Sequence, residues 1–446
     1  MFMTTLIKNA LLINENKSEY ASVFIENQRI KKIFLENENL PKADINIDAT
    51  GLILIPGIID DQVHFREPGL THKADIASES AAAAAGGLTS FIEMPNTNPA
   101  SITNQLLNEK FEIAKNTSFI NYSFMLGATN DNIQEIKNIN KSRVAGIKMF
   151  LGSSTGNLLV DDDEVVKNIL NSSGSVVAAH CEDDGIINYN LKNFKAKYGE
   201  NIPSEFHPQI RSAEACYKSS AKAVEIAKKT GGRLHIFHLS TAKEIELLSN
   251  KPISEKKITA EVCVHHLWFN DADYKRLGNK IKWNPAVKTE NDRLALIQAL
   301  KDGKIDVVAT DHAPHLLEEK MQVYTKSPSG GPMVQHSLLV MLELAEQNYF
   351  SIQNVIQWMC HNPAELFGII DRGFVREGYF ADLVLINPNI STKVKKENLL
   401  YKCKWSPLEG EVFKYSVQTT FVNGKIVYDN GKLTGEKSAK QLEFKV

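Results

Sequence analysis

The sequence predicts an α/β protein: a (β/α)8 TIM barrel with a small β-sandwich built from both termini. Three observations predict it. β-rich segments with turn residues occupy both ends of the chain, and between them eight short apolar runs alternate with helix-like stretches. Most of those runs stop at a polar residue able to do chemistry. Parallel strands covered on both faces read as continuous apolar runs, and a barrel gathers the residues at its strand C-termini into one mouth.

At the N-terminus, Leu6–Ile13 and Ser22–Ile25 are strand-like, with Asn27 and Asn37 to Asn39 at turns. The barrel strands follow. Ile58-Ile59 leads to His64, Leu88–Met94 to Asn96, Tyr122–Leu126 stands alone, and Val144–Ile147 leads to Lys148. Val176–Ala179 leads to His180, Leu234–Phe237 to His238, Ile258–Val262 to His265-His266, and Ile305–Ala309 to Asp311-His312. The run Ala81–Ala85, between Ser78-Glu79 and Gly86-Gly87, reads as a tightly packed helix ending at glycine. At the C-terminus, Ala381–Ile386 precedes an Asn-Pro turn, and Thr419–Val422 and Lys425–Tyr428 flank Asn423-Gly424, a hairpin signal. The expected division is 1–53 and 373–446 for the two parts of the sandwich and 54–372 for the barrel.

Composition excludes several function classes. A chain of 446 residues, 43% hydrophobic and 23% charged, is long enough for a barrel and a companion domain. A net charge of -2 gives no electrostatic reason for a nucleic-acid or anionic-membrane partner. No apolar run approaches the roughly 18–20 residues of a membrane helix, and Met1–Ala10 lacks the layout of a signal peptide. Five widely spaced cysteines without Cys-x-x-Cys read as reduced thiols, so the expected location is cytoplasmic.

Taken singly, a histidine after an apolar run is usually a satisfied buried side chain. The joint pattern argues otherwise: His64, Lys148, His180, His238 and Asp311 each end a different predicted strand, where a barrel makes them converge. Such nitrogen and carboxylate donors suit zinc, and two ions about 3.5–4 Å apart can act on one carbonyl. His235, His265, His266, His312 and His361 are not expected to be ligands. His235, three residues from His238, falls on the opposite strand face, and Cys181 and Cys263 are given no catalytic part.

Longer matches carry a family resemblance. His64-Phe65-Arg66-Glu67-Pro68-Gly69, Met94-Pro95-Asn96-Thr97, Ala179-His180-Cys181-Glu182, His235–Thr241, Asn284-Pro285, Ala309–His315 and Asn362–Gly368 together resemble the dihydroorotases of the amidohydrolase superfamily across nearly the whole chain. The histidine and Asp-His-Ala-Pro-His elements are shared with hydantoinases and allantoinases. The Phe-Arg-Glu-Pro-Gly and Met-Pro-Asn-Thr pieces are more particular to dihydroorotases.

The resemblance implies zinc, one or two ions per chain, held by His64, Lys148, His180, His238 and Asp311, with Lys148 carbamylated. An aspartate near Asp161 to Asp163 is the alternative to Lys148, and those residues otherwise start a helix. It implies that Arg66, placed on the strand face of His64, binds a substrate carboxylate with help from Asn96 and His315, and that Asn284 contacts the ring. Asp311 is then the proton shuttle for a metal-bound hydroxide in the reversible cyclisation of N-carbamoyl-L-aspartate to (S)-dihydroorotate, a step of pyrimidine synthesis. A homodimer is implied by the same likeness.

One position departs from the family. The first strand of these enzymes usually ends in His-x-His, and here the first of those positions is Gln62. An amide oxygen is a weaker zinc ligand than imidazole, so three outcomes follow for Gln62: weak ligation, replacement by water with a lower-affinity first metal, or loss of that metal. Retention of all the other matched residues argues for an active enzyme. Two alternatives stay open: a hydantoinase or allantoinase type of cyclic amidase, and a silent dihydroorotase-like scaffold for aspartate carbamoyltransferase. Two polar loops, Leu151–Asn157 and Ser327–Pro332, are expected at the mouth, where either can close over substrate.

Overall fold

Eight parallel strands form the centre of the protein, each drawn from one of the expected apolar runs. The structure, a computed structural model, describes residues 3–35, 38–152 and 158–446. In chain order the first strands are β1 (Thr4–Asn14), β2 (Lys17–Glu26), β3 (Arg29–Leu35), β4 (Ile45–Asp48) and β5 (Ile53–Pro56). The barrel strands are β6 (Ile58–Val63), β7 (Leu88–Glu93), β8 (Asn121–Gly127), β9 (Gly146–Phe150), β10 (Val176–His180), β11 (Leu234–Ile236), β12 (Ile258–Cys263) and β13 (Val307–Ala309). The chain ends with β14 (Leu383–Asn387), β15 (Thr392–Lys393), β16 (Val412–Phe413), β17 (Ser416–Val422), β18 (Lys425–Asp429) and β19 (Lys432–Leu433).

The barrel runs β6 to β13 without a break, every strand pairing with its sequence neighbour. Its ends meet where Val63 bridges His312 and His64 N–H donates to the His312 carbonyl at 2.7 Å. Helices cover the outside. Ile76–Ala85 starts at Asp75, whose carboxylate accepts from Ser78 N–H, and Ala213–Thr230 runs from Ser212 to Gly231 in the left-handed region. Ala81 to Ala85 of the first helix allow close approach to the barrel wall, and all five are buried.

The termini build one mixed nine-stranded sheet in the order β19-β18-β17-β14-β5-β1-β2-β3, with β4 added beside β1. β5, at the expected boundary, is the strand that joins N-terminal β1 to C-terminal β14. Buried polar contacts tie this sheet to the barrel. Asp382 accepts from Asn423 N–H at 2.7 Å, from Asn121 Nδ2 at 3.0 Å and from Arg372. His361 links Glu15 N–H to the Gly373 carbonyl through its two ring nitrogens. No helix among the described residues is long and apolar enough to cross a membrane.

Candidate active site

The strand ends open into a cavity of about 730 Å³. Gln62, His64, Arg66, Asn96, Lys148, His180, His238, Asn284, Asp311 and His315 all line it, so every predicted site residue converges there. Three of them hold left-handed backbone: Arg66 at φ 68°, His238 at φ 40° and Asp311 at φ 44°. Such conformations are costly for residues with a Cβ and persist where the surroundings enforce them.

The donors form two groups. His180 Nδ1 and His238 Nε2 face each other at 3.0 Å. Behind them, Glu182 lies 3.0 Å from His180 Nε2 and is paired with Arg211, which holds its carboxyl down at about 2 despite burial. Lys148 is fully buried and its Nζ has no hydrogen-bond partner among the described residues; it sits 4.1 Å from the centre of the Phe237 ring. Burial pushes its amine down to about 7, against the pull of Glu261 and Asp311. In the second group His64 Nε2 lies 3.1 Å from Asp311 Oδ1, while His64 Nδ1 is 2.8 Å from Asn96 Oδ1. The amide oxygen can only accept, so the proton is on Nδ1 and the Nε2 lone pair faces the carboxylate.

These residues fit a divalent ion on their own geometry. Two imidazole nitrogens 3.0 Å apart and a lone pair set against a carboxylate are arrangements that a shared cation relieves. An amine held near neutrality by burial is also one that carbon dioxide can carboxylate. Gln62 is buried, and the Cys263 thiol lies 3.8 Å from its Oε1. The aspartate alternative to Lys148 falls away from the site: Asp162 caps the helix Asp163–Ser172, and Asp161 accepts from Asn130 in an exposed contact.

The far wall is cationic. Arg66 donates from Nε to the Pro314 carbonyl at 3.1 Å and lies 3.1 Å from His315 Nε2. It forms no ion pair with a carboxylate among the described residues, and burial pulls its guanidinium down to about 10. It does not share a strand face with His64, as expected from the two-residue spacing, because β6 stops at Val63 and the left-handed turn redirects the side chain. His315 joins Arg66, whereas Asn96 bonds His64 instead. The Asn284 side-chain carbonyl is buried and has no partner, facing the cavity.

Sequence reasoning missed several neighbours. Lys73 contacts His315 Nδ1 at 3.1 Å and Glu319 at 3.0 Å, and nothing in the local sequence marks it. Trp283 lines the cavity and donates from Nε1 to the Asp311 carbonyl at 3.3 Å. His312 is no cavity ligand: it bonds buried Glu79 at 2.8 Å and accepts from Met333 N–H at 3.0 Å, fixing the turn that carries Asp311. No helix starts at Ala313, so Asp311 is not a helix cap. Of the two expected lids, positions 153–157 of the first lie outside the described residues. The second stands at the cavity wall. Buried Lys320 and Lys282 donate to its Pro328 and Ser327 carbonyls, and Gly330 N–H bonds the Lys282 carbonyl.

With this geometry in view, the comparisons decide the family. Residues 53–427 match the model of the amidohydrolase family. The chain belongs to the amidohydrolase family. The relatives that this amidohydrolase resembles include a dihydroorotase of Methanosphaera stadtmanae, 31% identical and covering 95% of this chain and 96% of its own. Another is a dihydroorotase of Methanosarcina mazei, 32% identical, covering 91% of this chain and 90% of its own. Among solved structures, L-hydantoinase (dihydropyrimidinase) from Arthrobacter aurescens superposes with a TM-score of 0.93 at 25% identity, over 100% of both chains.

Proposed function

We propose that this amidohydrolase is a dihydroorotase, interconverting N-carbamoyl-L-aspartate and (S)-dihydroorotate in pyrimidine synthesis. Arg66 carries the reading. A buried guanidinium bonded, among the described residues, only to a carbonyl and an imidazole, in the same cavity as the metal-type donors, calls for an anion. Dihydroorotate brings one carboxylate on its ring; hydantoin and dihydrouracil bring none. The near-full-length likeness to dihydroorotases supports the same choice.

In this reading Arg66 pairs with the carboxylate and His315 completes the pocket beside it. Asn96, whose oxygen is taken by His64, turns its amide N–H groups to the substrate. Asn284 offers its unpartnered side-chain oxygen to a ring N–H. A zinc-class ion held by His180, His238 and carbamylated Lys148, with a second place bounded by His64, Asp311 and Gln62, would supply Lewis acidity toward the ring amide. Asp311 takes the proton of the attacking water and delivers it to the departing ring nitrogen. In the synthetic direction the same carboxyl protonates the hydroxyl that leaves as the ring closes.

Comparing kcat/KM for dihydroorotate, hydantoin and dihydrouracil tests this. We expect dihydroorotate to lead by at least about 10²-fold, the scale of losing hydrogen bonds to a charged group. Equal or reversed preference would favour the hydantoinase type, to which the solved-structure likeness points.

A further inference from the structure

One layer beneath the cavity lies a second set of metal-type donors that the reaction above does not use. Asp61, the residue before Gln62, reaches across the barrel interior towards His235 on β11 and Glu261 on β12. All three side chains are fully buried. His235 Nε2 lies 3.4 Å from Asp61 Oδ2 and 4.0 Å from Glu261 Oε2. One donor atom from each residue falls within 4.8 Å of the other two.

The hydrogen bonds leave these donor atoms bare. His235 Nδ1 is 2.8 Å from Thr259 Oγ1, whose own hydrogen points to the Leu234 carbonyl at 3.5 Å. With the imidazole proton on Nδ1, donated to that hydroxyl, the Nε2 lone pair faces the carboxylates. Glu261 Oε1 accepts from His238 N–H at 3.1 Å and from the Cys263 thiol at 3.3 Å, leaving Oε2 over. Both Asp61 oxygens, Glu261 Oε2 and His235 Nε2 have no hydrogen-bond partner among the described residues. Burial and Asp61 push the Glu261 carboxyl well above its usual range, so a proton is the occupant that competes with a cation here. The 3.4 Å contact lacks hydrogen-bond geometry, and 4.0 Å is too long for one. Lys148 feels the charge of Glu261, and a carbamylated Lys148 adds negative charge.

Two carboxylates and an imidazole whose other N–H is tied down form a donor set for a zinc-class divalent ion. We propose that this chain holds a divalent cation on the barrel floor, bound by Asp61, His235 and Glu261 and separate from the ion of His180 and His238. Small inward movements bring the three atoms to the roughly 2.0–2.2 Å such an ion requires. The floor ion offsets two buried negative charges. Through Glu261 it also fixes the backbone of His238, and through Asp61 the strand end that carries Gln62. None of this depends on which cyclic amide is the substrate.

Anomalous diffraction at the zinc edge, from crystals of the zinc-saturated full chain, tests the proposal. We expect a peak among Asp61, His235 and Glu261, resolved from the one at His180 and His238. Absence of the floor peak would overturn it and leave an imidazolium between two carboxylates as the explanation. Elemental analysis gives a second readout. Asp61→Asn should contain one metal fewer per chain than the unaltered protein while His180→Asn keeps the floor ion. Equal metal content in Asp61→Asn and the unaltered protein would also overturn it.

Discussion

His180 Nδ1 and His238 Nε2, from strands 5 and 6 of the barrel, point at each other across 3.0 Å. Burial and the neighbouring charges of His180 and Lys148 hold the His238 imidazole well below its usual range, so it stays neutral and able to ligate. His238→Ala should therefore lower bound zinc by one equivalent and reduce turnover at saturating substrate by 10²-fold or more, on the order expected when a metal-centred step is lost. Metal analysis with steady-state kinetics checks both.

Asp311→Asn keeps the size of the side chain and removes its ability to carry a proton. We expect kcat for dihydroorotate hydrolysis to fall by about 10²–10⁴ while KM changes little. A matching loss confined to KM would make Asp311 a binding group only.

Arg66→Met should raise KM for dihydroorotate and reduce kcat/KM by about 10–10²-fold, the equivalent of about 1.5–3 kcal/mol for hydrogen bonds to a charged group. Turnover of dihydrouracil, which has no carboxylate, should be untouched. Kinetics on the two substrates separates loss of carboxylate binding from general damage to the site.

Lys148 gives a pH dependence whose sign follows from burial. Its amine is depressed from 10.5 to about 7, so the neutral form that attacks carbon dioxide dominates only above that pH. Activation of metal-depleted protein by bicarbonate and zinc should be half-maximal near pH 7 and fail below it. A depressed basic group also costs folding energy, fully below its folded value and not at all above its unfolded one. Lys148→Met should thus stabilise metal-free protein most below pH 7, with the gain fading towards pH 10. Thermal melts across that range measure it.

The seam between barrel and terminal sheet depends on Asp382, buried against Arg372, Asn121 and the Asn423 backbone. Asp382→Ala strands a buried guanidinium and should cost about 3–5 kcal/mol. Urea unfolding should show that loss, whereas a surface change such as Glu164→Ala on a paired but exposed carboxylate should cost under about 1 kcal/mol.

The eight barrel strands were legible because strands covered on both faces are apolar throughout and stop where the chain turns at the mouth. That made His64, Lys148, His180, His238 and Asp311 readable as one cluster. Contacts made through irregular backbone were not. Arg66 enters by a left-handed turn, which a two-residue spacing rule does not foresee, and Lys73 reaches His315 from a loop with no periodicity. Glu79 and His312 are partners 233 residues apart, a pairing that only barrel closure brings about. Asp61 escaped notice for a related reason. Strand alternation puts it on the face opposite Gln62, but the pairing of β6 with β7 shifts register between Asp60 and Val63, and both side chains enter the barrel.

Hydrolysis of dihydroorotate by the purified chain, supplied with zinc and bicarbonate, tests the central claim most directly. We expect clear turnover that saturates with substrate and disappears on chelation, showing that catalysis proceeds with Gln62 in place of the usual histidine. Zinc-loaded protein that leaves dihydroorotate unchanged in both directions of the reaction would contradict it.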